Sequence, residues 1–344
     1  MTDIPDTNKI APKSILVIGG ANIDIMARSS YGDLVLEESN KGEVDFGCGG
    51  VGRNIAENLG RLGLAPQFVS ILGDDMPGQR LQQSCADGGV RLEHAIIRKG
   101  AKTDSYVSIH DGTGEMHVAM HQMGLIDSLT PAIIETIDPV INRADALVLD
   151  ANLRADTLAS IFAQAKGKVV FCDCVSALKA SKLIPFLDQI TCIKANMNEA
   201  RVLTGLGQDA QTHVLLSALR LTGVAQIVLS DGANGFVAVT QSDAVTKIPA
   251  KIPAKIPAKI SNDVPDARLA VNVSGAGDAL LAGFVYGWAQ DMAWDARADF
   301  AHGLAQFTLS SRNAVHPDIT AAHIHAQYAP VSSVSPVSPV SPIS

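Results

Sequence analysis

Six short apolar runs recur along the chain, and each closes on turn residues. They are SILVIGG (14–20), QFVSILG (67–73), ALVLDAN (146–152), KVVFCDC (168–174), ITCIKAN (190–196) and QIVLSDG (226–232). Runs of this length with so little polar interruption predict strands buried on both faces. Between them the apolar period lengthens to that of a helix. In GRNIAENLGRLGL (52–64), Ile55, Leu59 and Leu62 stand at i, i+4 and i+7 and form one stripe able to pack on a sheet. Such alternation predicts an α/β fold, with a largely parallel sheet covered by helices on both faces. Ligands of such sheets bind beyond the carboxyl ends of the strands, where the polar and glycine-rich endings fall here.

Two stretches break this rhythm. Residues 21–50 and 95–124 carry alternating, polar-interrupted strands with turns such as HDGTGEM. They predict hairpins outside the main sheet, together a small second sheet able to close over a substrate and exclude water. Low complexity occurs twice. KIPAKIPAKIPAKI (247–260) repeats a tetrapeptide whose prolines bar a central strand. It reads as an expanded surface loop; attraction of phosphate-bearing ligands by its lysines is the alternative. The tail, 329–344, repeats V-S-P and is expected to be disordered or extended.

Composition narrows the classes. The 344 residues, 47% hydrophobic and 18% charged, suffice for a sizeable core in one large domain or two unequal ones. A net charge of −8 argues against a nucleic-acid-binding face. No run approaches the roughly 18 consecutive apolar residues of a membrane span, and MTDIPDTNKIAPK lacks the apolar centre of a signal peptide. No membrane contact is expected, and the cytoplasm is the expected compartment. Five cysteines, an odd number, agree with that. Cys172 and Cys174 alternate inside an apolar run and are expected as core thiols rather than a metal pair. His117 and His121 are expected as surface strand residues, since no Glu follows the first as in the zinc proteases.

The candidate chemistry lies in VNVSGAGDALLAGF (271–284). A glycine-rich turn opens an apolar helix, so its N–H groups converge on any anion placed there, helped by the helix dipole. The lysine of a phosphate-binding P-loop is missing, and Leu280 stands where a dinucleotide fingerprint needs glycine. Asp278 would repel a bound diphosphate unless it had its own task. Two readings of it stand level here: a base that accepts the proton of an attacking hydroxyl, or a helix cap.

Four motifs in order settle more than this loop does alone. They are GGVGRNIAENLGRLG (49–63), NMNE (196–199), LSDGANG (229–235) and GAGD (275–278). In order and approximate spacing, across about 15–312, they resemble the ribokinase-like (PfkB) carbohydrate kinases. The resemblance implies a three-layer α/β/α fold with a mostly parallel sheet and a small β-sheet lid, occupying 14–328. TDSYVSIHDGTGEM, FCDCVSALK, KANMNEA and VNVSGAGD look most like the pseudouridine-kinase branch. Most sugar kinases of the wider family have Asp where this chain has Asn272, a departure that weakens the case for the K⁺ site many relatives build nearby.

The roles that follow are implied by the resemblance. Asp278 would take the proton of a nucleoside 5′-hydroxyl attacking ATP, while the N–H groups of Gly275, Ala276 and Gly277 stabilise the transferring phosphoryl group. Glu199, with Asn196, would hold Mg²⁺ through water, although the pair also has the spacing of a capping box. Asp24 would bind two vicinal hydroxyls of a ribose; its alternative is a turn Asp closing the first strand. Asn22, Gly49, Gly50 and Asn54 would contact the same sugar. Tyr106 and Ser108, on one side of a lid strand, would meet the base. Ser230, Gly232 and Gly235 would line the ATP phosphates and ribose. The lid could pair subunits into a homodimer. Another sugar or nucleoside kinase, or a non-catalytic nucleotide-binding module, are the competing readings.

Overall fold

In a computed structural model of the chain, residues 12–241 and 275–327 are described. The Lys-Pro repeat, the V-S-P tail, Asn272 and Ser274 lie outside them. Thirteen strands are described: β1 (Ile15–Ile18), β2 (Asn22–Ser29), β3 (Gly42–Gly49), β4 (Gln67–Val69), β5 (Ile71–Gly73), β6 (Ile96–Arg98), β7 (Ser105–His110), β8 (Met116–Gln122), β9 (Ala146–Asp150), β10 (Val169–Asp173), β11 (Cys192–Asn196), β12 (Gln226–Ser230) and β13 (Phe236–Thr240). Seven of them form the main sheet in the order β13-β12-β11-β10-β9-β1-β4, parallel except for the antiparallel edge strand β13.

Alternate residues of these strands enter two separate cores, as the near-continuous apolar runs require. Leu16, Ile18, Leu147, Leu149, Cys172, Ile193 and Ile227 pack on one face with the helices Ala155–Gln164 and Thr212–Leu221. Ile15, Val17, Ala146, Val148, Phe171, Cys192 and Val228 pack on the other. There they meet Ile55 and Leu59 of the helix Val51–Arg61 and Leu280, Leu281 and Phe284 of the helix Ala276–Ala289. The three-layer α/β/α architecture is thus present. Cys172 and Cys174 are fully buried in the first core, where burial holds both thiols well above their ordinary pKa.

The run 67–73 is two strands, not one. Gln67–Val69 pairs with β1, whereas Ile71–Gly73 leaves the sheet at the buried Ser70 and pairs with β6. An uninterrupted apolar run carries no mark of such a change of partner. Consequently β6, in the stretch expected to feed the lid, belongs to this separate two-stranded sheet. The smaller sheet has the order β3-β2-β7-β8: two antiparallel pairs, joined by the parallel pairing of β2 with β7.

One buried carboxylate joins the sheet to the helix above it. Asp150, at the end of β9, accepts hydrogen bonds from Gly20 N (2.8 Å) and Gly52 N (2.7 Å) on Oδ2, and from Asn152 N (2.8 Å) on Oδ1. A Cβ at Gly19 would overlap this carboxylate. Asp150→Ala is therefore expected to lower the unfolding free energy by roughly 3 kcal/mol, because three buried N–H groups lose their acceptor. Asp150→Asn should cost less, since one amide oxygen still serves Gly20 and Gly52. Urea unfolding of the two variants checks the order.

Candidate active site

The polar residues at the carboxyl edge of the main sheet follow the strand order. At one side, Ser230 ends β12 and is paired in register with Asn196 of β11. Next come Lys194 and Asp173, paired in register between β11 and β10, then Asp150 at the end of β9. Gly19 and Gly20, which follow β1, close the row. The helix Ala276–Ala289 begins over this edge. Its N-cap is Gly275, held at φ 86°, where a Cβ would overlap the Ala314 carbonyl.

A cavity of about 320 Å³ opens between the lid and this edge. Asn22 and Asp24 of β2, Gly50 and Asn54 at the start of the helix Val51–Arg61, and Gly275 and Asp278 all line it. Three chain segments far apart in sequence are thus brought together. Asn22 Nδ2 donates to Asp24 Oδ1 at 2.6 Å, and burial outweighs that bond and the charge of Arg53, leaving the Asp24 carboxyl above its ordinary pKa. Asp24 lies within β2, opposite Gly47, rather than in a turn. Gly49 packs against it so closely that a Cβ would overlap its carboxylate, and Gly50 (φ 96°) has no room beside Ala21. Tyr106 is the cross-strand neighbour of Asp24, and Ser108 lies two residues on along the same face. Neither lines the cavity: the Tyr106 hydroxyl contacts Met116 Sδ at 3.6 Å, and Ser108 Oγ pairs with His110 Nε2 at 3.0 Å.

Asp278 does not cap its helix. Its Oδ2 accepts from Asn54 Nδ2 at 2.7 Å across the cavity. Burial, then the negative charge of Asp173, push its pKa up to about 7 against the opposing pull of Lys194 and the Asn54 hydrogen bond. Lys194 Nζ stands 3.1 Å from Asp173 Oδ2 and close under the loop, where a Cβ on Gly277 would fall 2.7 Å from it. Burial works against its charge, but Asp173, Glu199 and Asp278 outweigh that and hold the ammonium above the ordinary lysine value.

Asn196 and Glu199 form a complete capping box at the start of the helix Met197–Thr204. Glu199 N donates to Asn196 Oδ1 (2.9 Å), while Glu199 accepts from Asn196 N (2.7 Å) and Nδ2 (2.8 Å). The carboxylate is 1% exposed, and burial raises its pKa. Among the described residues no group of three or more His, Cys, Asp or Glu side chains is placed to hold a metal. With both oxygens already accepting, Glu199 suits a water of a hydrated ion better than direct ligation, which fits Mg²⁺ that takes its direct ligands from phosphate. Gly232 (φ 51°) and Gly235 (φ 91°) shape the turn after β12, where Asp231 N donates to Gly235 O at 2.8 Å. With Ser230 they stand on the far flank of Asn196 from the cavity and do not line it. On the lid, His117 pairs with Asp111 (2.9 Å), and His121 faces Tyr106 across β7 and β8.

Several lining residues carry no expectation from the sequence: Asp104, Met123, Asn152, Val175 and Lys179. Lys179 Nζ donates to Asn152 Oδ1 at 2.6 Å, and the β-branched Val175 sits at φ 63°. Lys194 and Asp173 did leave a signal, since a charged residue inside a doubly buried strand is rarely idle.

A parallel sheet closed by a small lid, with a carboxylate at the mouth of a glycine-initiated helix, is the architecture of the pfkB family carbohydrate kinases. The model of that family matches residues 12–321, and the chain belongs to it. It is 34% identical over 312 residues to the pseudouridine kinase of Escherichia coli (strain K12), covering 90% of this chain and 95% of that protein. A carbohydrate kinase from Agrobacterium tumefaciens superposes with a TM-score of 0.74 at 28% identity, over 92% of this chain and 97% of that one. Arabidopsis thaliana ribokinase, solved with ribose and ATP, superposes with a TM-score of 0.76 at 20% identity over 92% and 98%, a likeness of fold. No described helix is long and apolar enough to cross a membrane.

The Asn54 amide favours the ionised form of Asp278, so Asn54→Ala is expected to raise the Asp278 pKa further above about 7. Titration of the carboxyl carbon by ¹³C NMR, assigned with Asp278→Asn, checks the direction.

Proposed function

We propose that this kinase transfers the γ-phosphoryl group of ATP to the 5′-hydroxyl of pseudouridine, giving pseudouridine 5′-phosphate and ADP. The observation that carries this reading is the convergence of Asp24, Asn54 and Asp278 on one cavity sized for a nucleoside. The 34% identity to a pseudouridine kinase favours that acceptor. Asp24 and Asn22 accept and orient the vicinal ribose hydroxyls, with Gly49 and Gly50 letting the backbone come close. The 5′-hydroxyl then points at Asp278, which takes its proton as the oxygen–phosphorus bond forms and the bond to ADP breaks. The N–H groups of Gly275, Ala276 and Gly277 receive the charge on the moving phosphoryl group, and Lys194 beneath Gly277 adds a fixed positive charge. Asn196, Ser230, Gly232 and Gly235 hold ATP on the other flank. Glu199 would receive a water of Mg²⁺, which would screen the phosphate charge when bound. Lys179 and Asn152 also line the cavity and offer polar groups to the base. A second reading keeps phosphoryl transfer and changes the acceptor to ribose or another nucleoside, since any ribose offers the hydroxyl pair that Asp24 would bind.

Purified protein with Mg·ATP is expected to release ADP with pseudouridine in preference to uridine, adenosine and ribose. Turnover of ribose or adenosine without pseudouridine would overturn the acceptor, and no turnover with any of them would leave a binding module. Asp278→Asn should lower kcat by about 100-fold or more with ATP binding kept, as measured by calorimetry.

The base must be ionised to act. With a pKa of about 7, kcat/KM is expected to be level above neutrality and to fall about tenfold per pH unit below it. A limb near pH 4 would show that the base titrates at the ordinary carboxylate value and that burial does not raise Asp278 in the working enzyme.

The lid supports a homodimer. One face carries Asp24, Tyr106 and Ser108, and the other carries Val44, Phe46, Ile109, Val118 and Met120, all exposed. A second copy covering that face would explain its apolar character. Sedimentation of Val118→Glu is expected to show monomer where the wild type shows dimer. A cytoplasmic location suits a chain with five free, mostly buried cysteines.

A further inference from the structure

Behind the cavity, the helix Val51–Arg61 carries a buried polar chain that the reaction as described does not use. Arg53 is 2% exposed. One end of its guanidinium, Nη1, pairs with Glu57 and donates to Ser84 Oγ at 3.1 Å. The other, Nη2, donates to Asn54 Oδ1 and to the Cys48 carbonyl at 2.9 Å. Glu57 is held in turn by Arg61 (2.7 Å) and Ser84 Oγ (3.0 Å).

The chemistry of this chain restricts Asn54. A side-chain amide has a donor end and an acceptor end of nearly the same shape, so either could face Asp278. Arginine has donors only. With its guanidinium fixed by Glu57, it accepts no orientation of Asn54 except the one with the carbonyl oxygen turned toward it. The NH₂ group is thereby left facing Asp278 Oδ2, where the 2.7 Å bond forms. If the amide turned over, its oxygen would meet a carboxylate oxygen. The same Nη2 holds the end of β3, one residue before the Gly49–Gly50 wall, so the lid strand and the amide share one anchor.

We infer that Arg53 is a positioning residue for the reaction, holding the Asn54 amide with its NH₂ group toward Asp278 and registering that bond with the end of the lid strand β3. The inference rests on the reading of Asp278 as the base. The charged groups that face Asp278 are Asp173, Lys194 and Asp150, and none of them is in hydrogen-bond contact with Arg53. Those near Arg53 are Glu57, Arg61 and Asp24. Loss of Arg53 therefore reaches Asp278 chiefly through Asn54.

The test is the pH dependence of kcat/KM for Arg53→Met, Asn54→Ala and the double variant, with Asp278→Asn alongside. Arg53→Met is expected to move the acid limb upward in pH, as Asn54→Ala does, and to lower kcat at neutral pH by about 10- to 100-fold. In the Asn54→Ala background it should move the limb no further, because the group it acts through is gone. A limb that stays in place while thermal stability falls would show a merely structural residue and overturn the inference. So would shifts that add in full. Should Arg53→Met not fold, Arg53→Met with Glu57→Gln removes both charges together, and Arg53→Lys keeps one; the same criteria apply. A near-normal rate in Asp278→Asn overturns the base assignment itself. An inactive Asp278→Asn beside an unmoved limb in Arg53→Met overturns the Arg53 inference alone.

Discussion

The site depends on one buried cation. Lys194 faces Asp173, Glu199 and Asp278 at the edge of a sheet whose two faces are closed to water. Carboxylates in such surroundings ionise only with help from a nearby positive charge, and a buried lysine keeps its proton only beside carboxylates. The two requirements meet here. Burial and then Asp173 raise the cost of ionising Asp278, while Lys194 and the Asn54 hydrogen bond lower it, so the balance falls at about 7 rather than at the ordinary carboxylate value. A group titrating there is about half ionised at neutral pH and still basic enough to take a proton.

The position of that balance follows from topology. Parallel strands end together at one edge, and their last side chains are the first that need not be apolar. Asp150 and Asp173 occupy those places on neighbouring strands, and Lys194, two residues before the end of β11, lies in register with Asp173. Asp150 spends its carboxylate on Gly20, Gly52 and Asn152, which fixes the start of the helix Val51–Arg61 against the sheet. That helix then delivers Asn54 to Asp278, and Arg53 to the end of the lid strand. The lid itself is a sheet with unlike faces, an outcome of period-two alternation in strands that leave the core. Asp24 turns toward the cavity while Phe46 and Met120 turn away.

Much of this was legible in the chain. The apolar runs located six of the seven main-sheet strands, because strands buried on both faces must be apolar throughout. Two of the ordered motifs supplied Gly50, Asn54, Gly275 and Asp278 to the lining of the cavity, since glycines at close approaches and a carboxylate after a glycine turn are demanded by local geometry. Other features were not legible. The division of 67–73 into two strands has no local mark, as Ser70 is as buried as its neighbours. Tyr106 and Ser108 share a strand face with Asp24, yet neither lines the cavity, because reach into it depends on how the lid sits over the edge. For Asn196 and Glu199, spacing allowed a capping box or a metal role; the capping box is formed, and any metal role must be shared with it.

By itself, then, the sequence determined the class of fold, the family and the glycine–carboxylate loop, because each rests on short-range pattern: period, turn chemistry and the order of motifs. Tertiary structure decided which charges became neighbours. Lys194, Asp173 and Asp278 lie on different segments, and only the parallel stacking of β10 and β11 beneath the helix Ala276–Ala289 sets the distances on which their ionisation depends. The orientation of Asn54 was decided there as well, for an amide has two nearly equivalent ends, and only its buried neighbour Arg53 tells them apart.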